Sequence, residues 1–287
     1  MHPDVHAFFH EPTNTVTYLA IDPTTKKAAL IDPVLDFEPA SGKLWRASID
    51  AVLAEVKRLG VTVEWILETH AHADHLSGAQ PARAATGAPI VIGDHIRDVQ
   101  NIFAPKFLAE DITDDYQAFD RLVHDGDALP LGELTINVLH TPGHTPACVT
   151  YVIGDAAFVG DTLFMPDYGT ARADFPGGDA ATLYRSIRKI LTLPLETRIF
   201  VGHDYKAANR DAFAWETTVA AERAHNIQVN DAISEAAFVS ARKARDATLA
   251  APRLLLPSLQ VNIRGGRLPP ADKDGVVRFR IPISEAS

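Results

Sequence analysis

Short apolar runs bounded by turn residues dominate the start of the chain. Residues 5–9, 15–21 and 27–31 read as strands, separated by Glu11-Pro12-Thr13-Asn14 and Asp22-Pro23-Thr24-Thr25, whose residue types favour turns. The third strand stops at Asp32-Pro33, because proline has no N–H to continue the ladder. The period then changes. Ile49, Val52, Leu53, Val56 and Leu59 recur at helical spacing, with Ser48 as the N-cap and Gly60 as the stop. A strand over 61–69 follows, rich in β-branched and aromatic residues, and then an alanine-rich helix over 79–86.

Further along, residues 89–92 predict a short strand, and the mixed apolar and acidic stretch 94–120 predicts helix plus loop. Asp125-Gly126-Asp127 marks a turn, residues 134–139 read as a strand, and 148–153 with 156–159 form a hairpin pattern around Gly154-Asp155. Asp179 caps a helix carrying Leu183, Ile187, Ile190 and Leu191, and 198–201 is another strand. Residues 215–249 turn helical, and Phe238, Ala241 and Ala244 are expected to form one buried face near the mouth of the site. A homodimer contact is the alternative use of that face. Residues 254–262 read as a late strand. A β-rich start followed by strand–helix alternation predicts an α/β sandwich of sheets covered by helices. No linker composition interrupts the chain, so residues 211–287 are expected to be a helical C-terminal elaboration packed on a domain formed by 1–210.

Composition narrows the classes. The 287 residues are 46% apolar, enough for one large core. Lys and Arg total 27 against 37 Asp and Glu, a formal charge of −10 without any block of like charge, so nucleic acid and an anionic membrane surface are not expected partners. Cys148 is the sole cysteine, which rules out an intrachain disulfide and a cysteine-rich zinc site. The first residues lack a charged-then-apolar signal pattern and no apolar run reaches membrane-spanning length, so a soluble, cytoplasmic protein is expected.

The chemistry is concentrated at strand ends. Thr69-His70-Ala71-His72-Ala73-Asp74-His75 follows the predicted 61–69 strand directly, and its imidazoles and carboxylate can converge from a turn. Imidazole suits Zn, Fe, Ni or Cu, and an added carboxylate suits Zn or non-haem Fe(II). Taken alone the cluster could be a histidine-rich polar loop. However, His144 after Thr141-Pro142-Gly143, Asp161 after Gly160 and His203 after Gly202 repeat the design: a strand, a sharp turn, a potential ligand. In α/β architectures, function gathers at the carboxyl ends of strands.

These motifs, in this order over roughly residues 5–205, resemble the metallo-β-lactamase superfamily: HxHxDH, TPGHT, GDTLF and GHDY. The resemblance implies an αβ/βα sandwich with metal at the strand-end edge, and makes 1–210 the catalytic domain. In hydrolytic members the pattern maps His70, His72 and His144 to one metal and Asp74, His75 and His203 to a second, with Asp161 bridging. Glu68-Thr69-His70 within its cluster, TPGHTPACVT, Arg172-Ala173-Asp174-Phe175, Leu183-Tyr184-Arg185-Ser186-Ile187 and His203-Asp204-Tyr205 are similar to the glutathione persulfide dioxygenases. That family implies one Fe(II) per chain on His70, His144 and Asp161, a two-histidine, one-carboxylate triad that leaves positions for O2 and substrate sulfur. It also implies substrate contacts from Arg172 and Tyr205, with His72, Asp74, His75 and His203 outside the iron's coordination. The segment 165–171 and the tail beyond about Arg210 are longer than in the family, and the tail resembles a bacterial branch of it.

The implied partners are a small-molecule thiol persulfide and O2, and the products sulfite and thiol. The alternative is a dinuclear Zn(II) hydrolase of the hydroxyacylglutathione hydrolase type, with two zincs per chain and a metal-bound hydroxide as nucleophile. Arg172 could instead pair with Asp174 or Asp167, and Tyr205 could simply pack. Cys148, inside an apolar strand, reads as a buried structural thiol. His95, His124, His140 and His225 read as ordinary.

Overall fold

The computed structural model describes residues 2–113, 117–208 and 210–283. The first part of the chain forms β1 (Asp4–His10), β2 (Thr15–Ile21), β3 (Lys27–Ile31), β4 (Val34–Glu38), β5 (Lys43–Trp45), α1 (Ala47–Leu59), β6 (Thr62–Leu67), β7 (Leu76–Ser77), α2 (Ala79–Thr86), β8 (Ile90–Gly93), α3 (Ile96–Phe103) and β9 (Arg121–Val123). The second forms β10 (Ala128–Leu131), β11 (Leu134–His140), β12 (Val149–Ile153), β13 (Ala156–Gly160), α4 (Ala180–Ile190), β14 (Arg198–Val201), β15 (Glu216–Thr218), α5 (Val219–His225), α6 (Glu235–Asp246) and α7 (Leu255–Asn262). Among the described residues there are two six-stranded sheets, ordered β1-β2-β3-β6-β8-β9 and β10-β11-β12-β13-β14-β15.

Side-chain alternation explains how the sheets stack. Along β2, Val16, Tyr18 and Ala20 point between the sheets and meet Tyr151, Phe158 and Phe200, while Leu19 and Ile21 point outward onto α1 residues Ile49, Val52 and Val56. The outer face of the second sheet carries Val159, Ile199 and Val201 against Leu183, Ile187 and Ile190 of α4 and Phe238 of α6. The result is a four-layer αβ/βα sandwich, as the sequence motifs imply. Two buried tyrosines fasten the strand ends across the interior: Tyr18 donates its hydroxyl to the Val201 carbonyl at 2.6 Å, and Tyr151 to the Glu68 carbonyl at 3.0 Å. No helix among the described residues is long and apolar enough to cross a membrane.

Several local expectations are corrected. Helix α1 begins at Ala47 rather than after a Ser48 cap. Ser48 instead gives its N–H (2.9 Å) and hydroxyl (2.7 Å) to Asp36 of β4, so the carboxylate that holds this helix start comes from another element. Residues 254–262 contain a helix, α7, not a strand. The run is buried on nearly every side, so it lacks the alternation that would separate strand from helix, and Pro257 sits in the first turn, where its missing N–H costs nothing. Helical structure does not begin at Trp215 either, because Glu216–Thr218 adds an edge strand antiparallel to β14. On α6 the buried positions are Phe238, Arg242 and Asp246, while Ala241 and Ala244 are exposed. Arg242 and Asp246 can be buried because they pair at 2.6 Å and Arg242 also donates to the Thr170 carbonyl. The 94–120 stretch contains α3 and a 3-10 turn at Pro105–Phe107, and residues 114–116 of it lie outside the described residues.

Candidate metal centre

Three strand ends and one loop meet at a single edge. His70, His72, Asp74 and His75 follow β6, Asp161 follows β13, His203 follows β14, and His144 lies in the loop between β11 and β12. The four regions are held together by backbone contacts between the sheets, with the Val149 N–H on the Thr69 carbonyl and the Val16 N–H on the Gly202 carbonyl, both 2.9 Å. Glycine is required at two of these turns. A Cβ at Gly143, whose φ is +133°, would lie 2.3 Å from the Leu183 backbone, and one at Gly202 would lie 2.7 Å from Asp161 Oδ1.

The imidazoles are oriented by their outer nitrogens. His144 Nδ1 donates to the Arg172 carbonyl at 2.8 Å, His203 Nδ1 to Asn14 at 3.2 Å, and His75 Nδ1 to Leu76 at 3.2 Å. The Thr69 hydroxyl donates to Asp32 Oδ2 at 2.8 Å, so it accepts from His70 Nδ1 at 3.0 Å. Each of these hydrogen bonds selects the tautomer in which Nε2 carries the lone pair. His72 is turned the other way, with Nε2 3.0 Å from Asp32 Oδ1 and Nδ1 inward. Asp32 therefore supports two histidines, and it does so at φ +49°, a conformation disfavoured for a non-glycine residue.

The inward atoms make up a donor set without hydrogen-bond partners. His70 Nε2, His72 Nδ1, His75 Nε2, His203 Nε2 and Asp161 Oδ1 are all buried and make no hydrogen bond, an arrangement that is costly unless a cation occupies the space between them. With His144 and Asp74 they make two groups with donors within 4.8 Å of one another, His70, His144 and Asp161, and His72, Asp74, His75 and His203, while Asp32, Glu68 and His72 make a third. Asp161 faces the first two. Its Oδ2 is 3.8 Å from His70 Nε2 and from His144 Nε2, and its Oδ1 is 3.3 Å from His203 Nε2. His72 lies between the groups, its ring 4.0 Å from His70 and 4.1 Å from His75.

Electrostatics agree with this geometry. Burial, then the neighbouring imidazoles, hold His70 and His75 well below the ordinary histidine pKa, so both are neutral lone-pair donors. Burial likewise works against a proton on His72, but Asp32, Glu68 and Asp161 outweigh it and raise its pKa to about 10. That spot favours positive charge, which a bound cation supplies in place of the proton.

The donors open into a cleft of about 390 Å³. Asp74, His144 and Asp161 line it together with Pro12–Asn14 and Tyr205, and the tail contributes Arg242, Arg245, Leu249, Ala250 and Pro252–Leu254. Tyr205 stacks on His203 (5.6 Å) and on Tyr168 (5.2 Å). Arg172 also lines the cleft, but its fork is clamped by Asp174 at 2.5 and 2.7 Å and its remaining amino group donates to the Ala250 carbonyl at 2.7 Å. The ion-pair alternative for Arg172 is thus the geometry observed, with Asp174 as partner; Asp167 pairs with Arg210 instead.

A metallo-β-lactamase superfamily model matches residues 11–203, which spans every donor above. The chain belongs to the metallo-β-lactamase superfamily. The histidines and aspartates of a metallo-β-lactamase metal site are present in it. A protein of Burkholderia pseudomallei named a probable metallo-hydrolase is 50% identical over 97% of this chain and 98% of its own length. The human mitochondrial persulfide dioxygenase ETHE1 is 34% identical over 68% of this chain and 66% of its own. The crystal structure of ETHE1 from Myxococcus xanthus superposes with a TM-score of 0.73 at 30% identity, over 92% of this chain and all of that one.

Not every part of this superfamily site is visible in the motifs. Asp32 reads in the sequence only as a strand stop, although an apolar strand ending in a carboxylate beside a turn residue, here Pro33, is akin to the signal that singles out Asp161 after Gly160. His140, read as ordinary, donates to the Pro146 carbonyl at 2.8 Å and stacks on His95 at 4.4 Å, bracing the loop that bears His144. The tail arginines carry no sequence signal at all. Cys148 is buried beside this loop, and burial pushes its thiol up to about 12. The thiolate is therefore scarce at pH 8. The folded protein is expected to resist a thiol-reactive chromogenic disulfide at that pH, with one thiol per chain appearing only on denaturation. Rapid labelling of the native protein would contradict a purely structural thiol.

Proposed function

We propose that the chain is an Fe(II)-dependent dioxygenase that converts glutathione persulfide, or a related low-molecular-weight persulfide, to sulfite and the thiol. The balanced reaction is RSSH + O2 + H2O → RSH + H2SO3. The observation that carries this reading is the convergence of His70, His144 and Asp161, a two-histidine, one-carboxylate set that suits a non-haem ferrous ion, with His144 and Asp161 lining an open cleft. The likeness to ETHE1 proteins supports it. An iron held by His70, His144 and Asp161 would supply the redox chemistry with O2.

The chain's own residues would orient the reactants. Phe164, Tyr168 and Tyr205 offer an aromatic wall for the thiol's carbon skeleton. Arg172, held by Asp174 and bonded to Ala250, would brace the tail loop. Arg245 and Arg253 also line the cleft and form no ion pair among the described residues, so they would meet the carboxylates of the thiol portion. Held between these walls and the donors, the sulfur would be kept in reacting geometry.

The complete second group, with His203 Nε2 3.1 Å from Asp74 Oδ2 and Asp161 facing both groups, favours a second reading. It is the dinuclear zinc hydrolase, consistent with the metallo-hydrolase name of the Burkholderia relative. Metal content of protein purified without chelators separates the two: about one iron per chain is expected, whereas two zincs per chain would favour the hydrolase. Iron-loaded protein is expected to consume O2 with glutathione persulfide. Uptake no greater than that of the metal-free control would sink the dioxygenase.

A further inference from the structure

Asn262, the last residue of α7, is buried and lies 187 and 190 positions from the two loop carbonyls its side chain bonds, its third bond going to Ser77 just after the loop. Its Nδ2 donates to the His72 carbonyl at 2.7 Å and to the His75 carbonyl at 2.8 Å, and its Oδ1 accepts the Ser77 N–H at 2.9 Å. Both amide protons and the amide oxygen are thus engaged, with good geometry and away from water. The two carbonyls bracket Ala73 and Asp74. Fixing both peptides fixes the backbone between them, and with it the directions in which His72, Asp74 and His75 leave the chain.

Beyond the contacts of Asp32 to Thr69 and His72, no regular structure holds the loop. Residues 70–75 belong to no helix or strand, so no ladder sets their conformation. Helix α7, in contrast, is anchored independently of Asn262. Leu259 and Ile263 sit in the core beneath the first sheet. Gln80 of α2 donates to the Gly265 carbonyl at 2.7 Å, Gln100 of α3 donates to Ile263 at 2.8 Å, and Arg264 pairs with Asp111 at 2.6 Å. Such an anchored helix end can act as a fixed post for a loop that is not itself regular.

We infer that Asn262 is a positioning residue of the metal centre, and that the C-terminal segment thereby completes a site whose donors all lie before residue 204. The inference holds for either metal reading above, because both need the histidine loop in one conformation. An amide is suited to the task where a carboxylate is not, since two carbonyls require two donors from one side chain. The test is the rate at which purified, Zn(II)-loaded protein gives up its metal to an excess of chelator, measured beside the melting temperature. Asn262→Asp keeps the acceptor for Ser77 but loses both donors, and Asn262→Ala removes the whole amide. Both should release zinc about 10-fold faster, the lower end of the effect of losing a group that orients metal ligands. Leu259→Ala, which loosens the same helix without touching the loop, should lower the melting temperature and leave the release rate unchanged. Release at the unmodified rate from both Asn262 variants, or equally fast release from Leu259→Ala, overturns the inference.

Discussion

Asp161→Asn is expected to abolish metal retention, while Asp74→Asn leaves most of it. Asp161 presents one oxygen to His70 and His144 and the other to His203, so it touches both donor groups, whereas Asp74 belongs to one. An amide keeps the shape but loses the negative charge that a divalent ion requires from a set of neutral imidazoles. Orienting groups outside the coordination sphere typically contribute 10–100-fold in affinity, so loss of the charged ligand should exceed about 100-fold. With a single ion on His70, His144 and Asp161, Asp74→Asn should stay within that outer range. With two ions, Asp74 is itself a ligand and its replacement should cut the metal content towards half.

Stability separates ligand loss from misfolding. Burial raises the pKa of Asp161, which means that without a cation its charge is unfavourable inside the protein. The metal-free Asp161→Asn protein should therefore melt no lower than the metal-free parent, although the metal-bound parent melts higher than both. Metal per chain for the parent and the two variants is the measurement. Equal depletion by Asp74→Asn and Asp161→Asn would remove the mononuclear iron assignment.

Truncation after Ala214 should yield insoluble or unfolded protein, although every proposed metal donor would remain. The removed segment supplies Val219, Val229 and Phe238 to the core over the second sheet and Leu259 and Ile263 to the core over the first. Each buried side chain of this size contributes about 1.5–3 kcal/mol, so their combined loss is comparable with the whole net stability of a domain, about 5–15 kcal/mol. The cut also uncovers the edge of β14, which pairs with β15 in the intact chain, and an uncovered edge invites aggregation. Soluble yield, a circular-dichroism melt and metal content report the outcome. A truncated chain that stays soluble, melts cooperatively and retains metal would show that the first 214 residues form a self-sufficient unit.

The metal donors were legible in the sequence because their signals are local. A strand, a glycine or proline turn and a ligand occur within a few residues at His144, Asp161 and His203, and the histidine cluster is contiguous. Their order along the chain was enough to specify the superfamily and so the sandwich. Strand–helix alternation, with turn residues between, placed most elements near their observed positions for the same reason: backbone preference and side-chain period act over a few residues.

Tertiary structure decided what depends on distant partners. Helix α7 and a buried strand share one apolar signature, and only packing against α2, α3 and β7 selects the helix. The start of α1 is held by Asp36 rather than by its own Ser48, and the buried face of α6 runs through an arginine and an aspartate because they neutralise each other there. The acid that Arg172 meets, Asp174 rather than Asp167, was set by the fold, which also keeps Arg172 in the lining of the cleft. Asn262 carries no motif, since its meaning lies in two carbonyls almost 190 residues earlier. Spacing along a chain specifies which donors can converge. Which side chains hold those donors in place depends on a three-dimensional neighbourhood that no local pattern encodes.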